Sequence, residues 1–230
     1  MVKPSRILDK IGTNYKLLIA ILLLATGYTL MTSIPANSQT IPELLVTWKS
    51  NDYVPADYQG KILPAPGSTV NLALELIDNG KIADLSQNEI RWSVDAKLGG
   101  SKLGMKNFSF TVGEFDRDDK NIMITVLNYR GQTLEKLLTI PLADPEIAIQ
   151  RLNSDNFQAK PYFFNIIALN QLSFRWLANN QSPKGFAENP DILELDLSQA
   201  PIGSPINLSV DIFNKSNPLE RASGLLNFSL

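Results

Sequence analysis

Strict alternation of apolar and polar residues recurs along most of this chain, and it restricts the fold more than any other feature. In Thr69–Ile77, Val70, Leu72, Leu74 and Leu76 fall on one side; Ile122, Ile124 and Val126 do the same in Asn121–Asn128, and Ile206–Asn214 repeats the pattern. A period of two places one face of a strand in a core and the other in water. Beyond residue 42 no stretch sustains the 3.6-residue period of an amphipathic helix, so the spacing predicts an all-β fold.

Further strands are expected at Glu43–Lys49, Glu89–Asp95, Asn107–Val112 and Thr133–Pro141, then at Glu146–Leu152, Gln158–Ile167, Gln171–Leu177, Ile192–Leu197 and Leu225–Leu230. Asn51–Ser68 holds Pro55, Pro64 and Pro66, which exclude regular helix and mark a long ordered loop. Asn79-Gly80 supplies the positive φ of a tight turn, Gly99-Gly100 and Gly104 read as chain breaks, and Asp144-Pro145 marks a boundary.

The two halves repeat one unit. Asn88-Glu89-Ile90-Arg91-Trp92 matches Gln171-Leu172-Ser173-Phe174-Arg175-Trp176, and each block leads to an apolar strand closed by Asn, at Asn128 and at Asn214. Short strands, frequent turns and a Trp in a middle strand fit two tandem Ig-like β-sandwich domains, over residues 43–143 and 144–230. Trp92 and Trp176 would then pack between the sheets of their domains, each burying about 150–250 Å² where no disulfide is available.

Ahead of the strands, residues 17–34 form an apolar run, and no charged residue stands between Lys16 and Glu43. As a helix it would span about 27 Å, close to a ~30 Å hydrocarbon core. The flank over residues 1–16 carries Lys3, Arg6, Lys10 and Lys16 against Asp9, which holds the N-terminus in the cytoplasm and sends residues 36–230 across. This run is a transmembrane anchor or the apolar region of a signal peptide. Ala36-Asn37-Ser38 offers a small-residue cleavage site within the linker at 35–42.

The order Arg-Trp, turn, alternating strand and closing Asn, in Arg91–Asn128 and again in Arg175–Asn214, resembles bacterial Ig-like and PKD-like envelope modules. Trp48-Lys49-Ser50 through Tyr53-Val54-Pro55-Ala56-Asp57-Tyr58-Gln59-Gly60-Lys61, with Pro161-Tyr162-Phe163-Phe164-Asn165, resembles uncharacterised bacterial membrane-anchored tandem Ig-like/PKD-like envelope proteins. The resemblance implies the fold and a cell-surface setting, and it implies no activity.

Composition removes much chemistry. Absent Cys and His exclude His- and Cys-based zinc sites, Ser-His and Cys-His nucleophile pairs and thiol redox centres within the chain. After the basic flank, 17 Lys and Arg stand against 22 Asp and Glu, so no clustered basic surface for nucleic acid is expected. Glu114, Asp116, Asp118 and Asp119 could gather calcium, but they lack EF-hand spacing and read as a solvated turn. Ser101 beside Lys97, Lys102 and Lys106 sits in an exposed hairpin, where a lysine keeps its charge and cannot act as a base. We expect no catalytic residues, metal or cofactor.

The candidate binding surface is aromatic. Tyr162, Phe163 and Phe164 are consecutive, so in a strand one of them points away from its own core. It lies under the adjoining domain or joins a recognition patch for protein or glycan. Tyr53 and Tyr58 of the Pro-rich loop face the same alternatives. The expectation is a non-enzymatic, membrane-held, extracytoplasmic protein that works by protein contact in adhesion, scaffolding or surface assembly. The alternatives are a carbohydrate-binding module stacking sugars on Tyr53, Tyr58, Tyr162 or Phe163, and an accessory subunit of a surface filament or secretion system.

Overall fold

The computed structural model describes residues 41–183 and 189–230. The expected transmembrane or signal segment at 17–34, its basic flank and most of its linker lie outside the described residues. Among the described residues no helix is long and apolar enough to cross a membrane. Pro42–Leu230 form one compact unit, whose described residues are all-β apart from a single 3-10 turn at Leu169–Gln171.

The first sandwich contains β1 (Glu43–Ser50), β2 (Thr69–Asp78), β3 (Lys81–Ile82), β4 (Glu89–Val94), β5 (Lys97–Leu103), β6 (Asn107–Thr111), β7 (Lys120–Tyr129) and β8 (Gln132–Ile140). One sheet has β2 at its centre, antiparallel to β1, β3 and β6; the other runs β5-β4-β7-β8. Alternation places Val70, Leu72, Leu74 and Leu76 of β2 against Ile90, Trp92, Ile122, Ile124 and Val126 of the facing sheet, in one continuous core.

The second sandwich contains β9 (Glu146–Arg151), β10 (Asn156–Tyr162), β11 (Leu172–Ala178), β12 (Ile192–Glu194), β13 (Pro205–Asn214) and β14 (Arg221–Ser229). Its sheets run β12-β10-β9 and β11-β13-β14. The apolar interior falls into two clusters, around Phe164 and around Phe157, and Trp176 and Ile149 touch both. At one side β14 closes against β9, where Gly224 leaves room for Ile147 and Ile149.

The repeat read from the sequence is a repeat of strand pairing. Strands β1-β2-β6 correspond to β9-β10-β12, and β4-β7-β8 to β11-β13-β14. Trp92 pairs with Ile124 and Trp176 with Val210, at equivalent points of the ladder. Neither β3 nor β5 has a counterpart strand in the second sandwich among the described residues.

Two strand expectations need correction. Gly99-Gly100 does not break the chain but lies inside β5, because the strand passes close over two side chains. A Cβ at Gly99 would stand 2.5 Å from Phe108 Cζ, and one at Gly100 would stand 2.8 Å from Met105 Cε. The strand expected over Gln158–Ile167 stops at Tyr162, since Phe163 turns to φ 59° and takes the chain out of the ladder.

Candidate functional site: the seam between the sandwiches

The loop between β1 and β2 does not stay with its own sandwich. Its three prolines hold it extended, and it reaches the end of β10. There Tyr53 N–H donates to Phe164 O at 2.7 Å and Phe163 N–H donates to Tyr53 O at 2.8 Å, a two-way backbone bridge between the sandwiches. The left-handed φ of Phe163 is a strained conformation for a bulky residue, held by this bridge and by the rings around it.

All four aromatic candidates meet at this seam. The Tyr58 ring stands edge-on to Tyr162 and to Phe163, each at 5.8 Å between centroids and at interplanar angles of 67° and 87°. Tyr53 packs against the Phe164 cluster of the second sandwich. Phe163 is only 8% exposed, so it is not the surface residue the binding-patch reading required; it is covered by the neighbouring sandwich. Tyr53, Tyr58 and Tyr162 are half-buried, and no two rings of the Tyr58, Tyr162 and Phe163 trio are parallel. Edge-to-face packing holds a junction together; a sugar-stacking platform needs a flat open face.

Polar groups complete the seam. Lys160 Nζ of β10 pairs with Asp57 Oδ2 of the loop at 2.6 Å, which raises the lysine and lowers the carboxyl relative to their ordinary values. Asn165 Nδ2 donates to Gly67 O at 3.1 Å. Behind these contacts lie two buried carboxyls, Asp52 at 4% and Glu220 at 7% exposure. Asp52 accepts from the hydroxyls of Ser50 and Ser68. Glu220 accepts from Asn165 N–H and from Asn214 Nδ2, the latter at 2.6 Å. Every donor is neutral. Burial pushes both carboxyls above their ordinary range against the downward pull of these hydrogen bonds, and the nearby Asp52 charge raises Glu220 further.

A hollow of ≈ 380 Å³ opens beside Glu220, with Phe115 (78% exposed) and Leu219 (65% exposed) on its rim and Arg117 and Arg221 nearby. A second, of ≈ 560 Å³, lies on the outer face of the β11-β13-β14 sheet over Phe213, Pro218 and Arg221. Both are open depressions. Neither brings together groups in a catalytic arrangement.

The two tryptophans, expected as equal core pins, differ. Trp92 is fully buried, stacks on Phe108 at 5.5 Å and donates from Nε1 to Met105 O at 2.8 Å. Trp176 donates from Nε1 to Pro190 O at 3.2 Å, but its ring is only half-buried. Two of the four calcium candidates are engaged otherwise: Asp116 pairs with Lys120 at 2.7 Å, and Asp119 accepts from Leu142 N–H at 3.3 Å. Among the described residues no group of three His, Cys, Asp or Glu stands close enough to hold a metal ion. Ser101 donates to Glu89 at 2.6 Å rather than to a lysine.

Sequence reasoning missed Asp52 and Glu220. A polar residue in a Pro-rich loop and one in a turn carry no local signal of burial, and the partners that hold them are distant in sequence, Ser68 for Asp52 and Asn165 for Glu220.

No family model matches the chain, and no curated protein matches it. Among solved structures, the fibronectin(III)-like modules of Clostridium thermocellum CbhA align over 81% of this chain and 94% of theirs, at 11% sequence identity and a TM-score of 0.29. A likeness that slight carries no argument here.

Proposed function

We propose that this chain is a non-enzymatic extracytoplasmic protein whose two Ig-like sandwiches act through protein contacts, in adhesion, scaffolding or assembly at the cell envelope, with the N-terminal apolar segment as membrane anchor or export signal. The seam is the observation that carries this reading. Its aromatic rings, its ion pair and its two-way backbone bridge are engaged in joining one sandwich to the other, which leaves sheet faces, edges and loops as the parts that meet a partner. The strand arrangement supports the Ig-like reading: β1 and β2 share one sheet as β9 and β10 do, and β4 joins β7 and β8 in the other as β11 joins β13 and β14. The apolar run and its basic flank support export.

The test is topology in living cells. A membrane-impermeant lysine reagent applied to intact cells is expected to modify lysines of the exposed β5 and β8, and deletion of residues 17–34 is expected to abolish that labelling. Modification only after lysis would overturn the proposal.

A further inference from the structure

Among the described residues, the second sandwich starts a hairpin whose pairing goes no further than the Ala178–Gln181 bridge. In the first sandwich, Asp95 and Ala96 (φ 48° and 63°) make the two-residue turn that leads β4 into β5. Asn179 and Asn180 have the same pair of values, 48° and 63°, and the turn is closed by the Ala178–Gln181 bridge. Two residues later Pro183, which has no N–H to give a ladder, stands where β5 would continue.

Backbone alternation shows what this leaves open. Asn179 N–H donates to Asn207 O at 2.8 Å, and Lys215 N–H donates to Gln171 O at 3.0 Å, so odd-numbered residues of β11 direct their backbone groups toward β13. Even-numbered residues direct theirs outward. Ala178 uses its pair on Gln181, at 2.8 and 2.9 Å. The N–H and C=O of Phe174 and Trp176 have no partner among the described residues. Side-chain burial agrees: Ile90 and Trp92 under β5 are fully buried, whereas their counterparts Phe174 and Trp176 are half-buried.

We propose that the outer edge of β11 receives an extended segment of another protein as an added antiparallel strand, with an acidic residue opposite Arg175. The inference rests on the contact function proposed above and names the surface and the partner chemistry. An added strand restores what β5 supplies in the first sandwich: four backbone hydrogen bonds and a cover for Trp176. The charge comes from the same comparison. Arg91 bonds Glu89 on its own strand at 2.9 Å, and Ser101 of β5 joins that carboxylate. In β11 the position of Glu89 is Ser173, and Arg175, well exposed, places both Nε and one terminal nitrogen on a single oxygen of Asp211. About two-thirds of the Arg175 side chain remains exposed beside the Asp211 pair, which leaves guanidinium surface for a partner's carboxylate. A second copy of this chain is a poorer occupant, because centred antiparallel pairing of β11 with itself sets Arg175 against Arg175.

The test is residue-resolved amide hydrogen exchange on the full-length chain, with a seven-residue synthetic peptide of alternating Thr and Val bearing a central Glu, and its central-Lys counterpart, as probes. Without peptide, the amides of Phe174 and Trp176 are expected to exchange at least about tenfold faster than that of Arg175. The Glu peptide slows both, and the Lys peptide does so less. Phe174→Pro, which removes one outward N–H, abolishes the effect, whereas Phe174→Ala, which removes the ring alone, retains it. Slow exchange without peptide overturns the proposal, as the edge is then already covered. Slowing that grows with protein concentration overturns it in favour of a second copy. Equal effects of the two peptides overturn the acidic partner. Extracytoplasmic labelling together with any of these results removes this inference and leaves the contact function standing.

Discussion

Truncating the two tryptophans should give unequal losses. Trp92→Ala removes a fully buried indole, its stack on Phe108 and its hydrogen bond to Met105 O. Truncation of a buried aromatic costs about 3–5 kcal/mol, and the stranded Met105 carbonyl adds ~1 kcal/mol, so the upper part of that range is expected. Trp176→Ala removes a half-buried ring on which no aromatic neighbour stacks among the described residues, with an exposed hydrogen bond to Pro190 O whose loss water can make good, so roughly half the transfer term is lost, about 2 kcal/mol. For a chain of this size each kcal/mol is worth about 2–4 °C in Tm, so the variants should separate by several degrees. Urea titration of the full-length chain, followed by far-UV circular dichroism, gives the same comparison as a shift of midpoint at constant slope. Equal losses would refute the reasoning. They would mean that Trp176 is as well covered in solution as Trp92, and the open edge of β11 would go with it.

Other perturbations test the seam and the sandwich edges. Asp52 and Glu220 are both raised, so the folded chain holds protons that the unfolded chain releases; their contribution is fully present below the unfolded values and is lost as pH rises through the folded ones. The urea midpoint should therefore fall as pH rises above the ordinary carboxylate value of about 4, and Asp52→Asn or Glu220→Gln should flatten that slope; a steeper fall in either variant would contradict the direction. Tyr58→Ala removes two edge-to-face pairs worth about 0.5–1.5 kcal/mol each, and should speed amide exchange at Tyr53 and Phe163 while leaving the strands of both cores protected. Gly224→Ala puts a Cβ 3.0 Å from Ile147 Cγ2 and 3.3 Å from its Cβ, and should lower stability by about 1–3 kcal/mol in the same titration.

The strands were legible in the sequence because each strand carries its own signature. Period two in Thr69–Ile77 and in Ile206–Asn214 is a local property, and the observed β2 and β13 differ from those bounds by one residue at one end. Strand β5 was not legible, since Gly99 and Gly100 favour turns unless a close neighbour requires the missing Cβ, and Phe108 and Met105 are that neighbour. The seam was half legible. Three consecutive aromatics had to send one ring away from its own core, but the partner, Tyr58, is more than a hundred residues upstream, as is Asp57 for Lys160. No periodicity encodes a contact between two folded units.

Beyond the two-residue β3, the difference between the sandwiches among the described residues lies in β5, and a local cause is visible for it. Both hairpins begin with the same pair of left-handed residues, so the turn chemistry after β4 and after β11 is equivalent. The residues after each turn differ: Lys97-Leu98-Gly99-Gly100 can run beside β4, with a bulge at Trp92–Ser93 and two glycines that clear Phe108 and Met105, while Gln181-Ser182-Pro183 meets a residue that cannot donate. The first sandwich thereby gains an edge that discourages further pairing, being bulged, glycine-rich and flanked by Lys97 and Lys102. The second, among the described residues, retains an edge with none of those features except the charge of Arg175. If the repeat arose by copying one unit, the copies diverged at the strand that decides whether a sandwich ends at its own edge or extends into a neighbour. The half-buried state of Trp176 is a result of that divergence; its burial and the backbone pairing of β11 must change together.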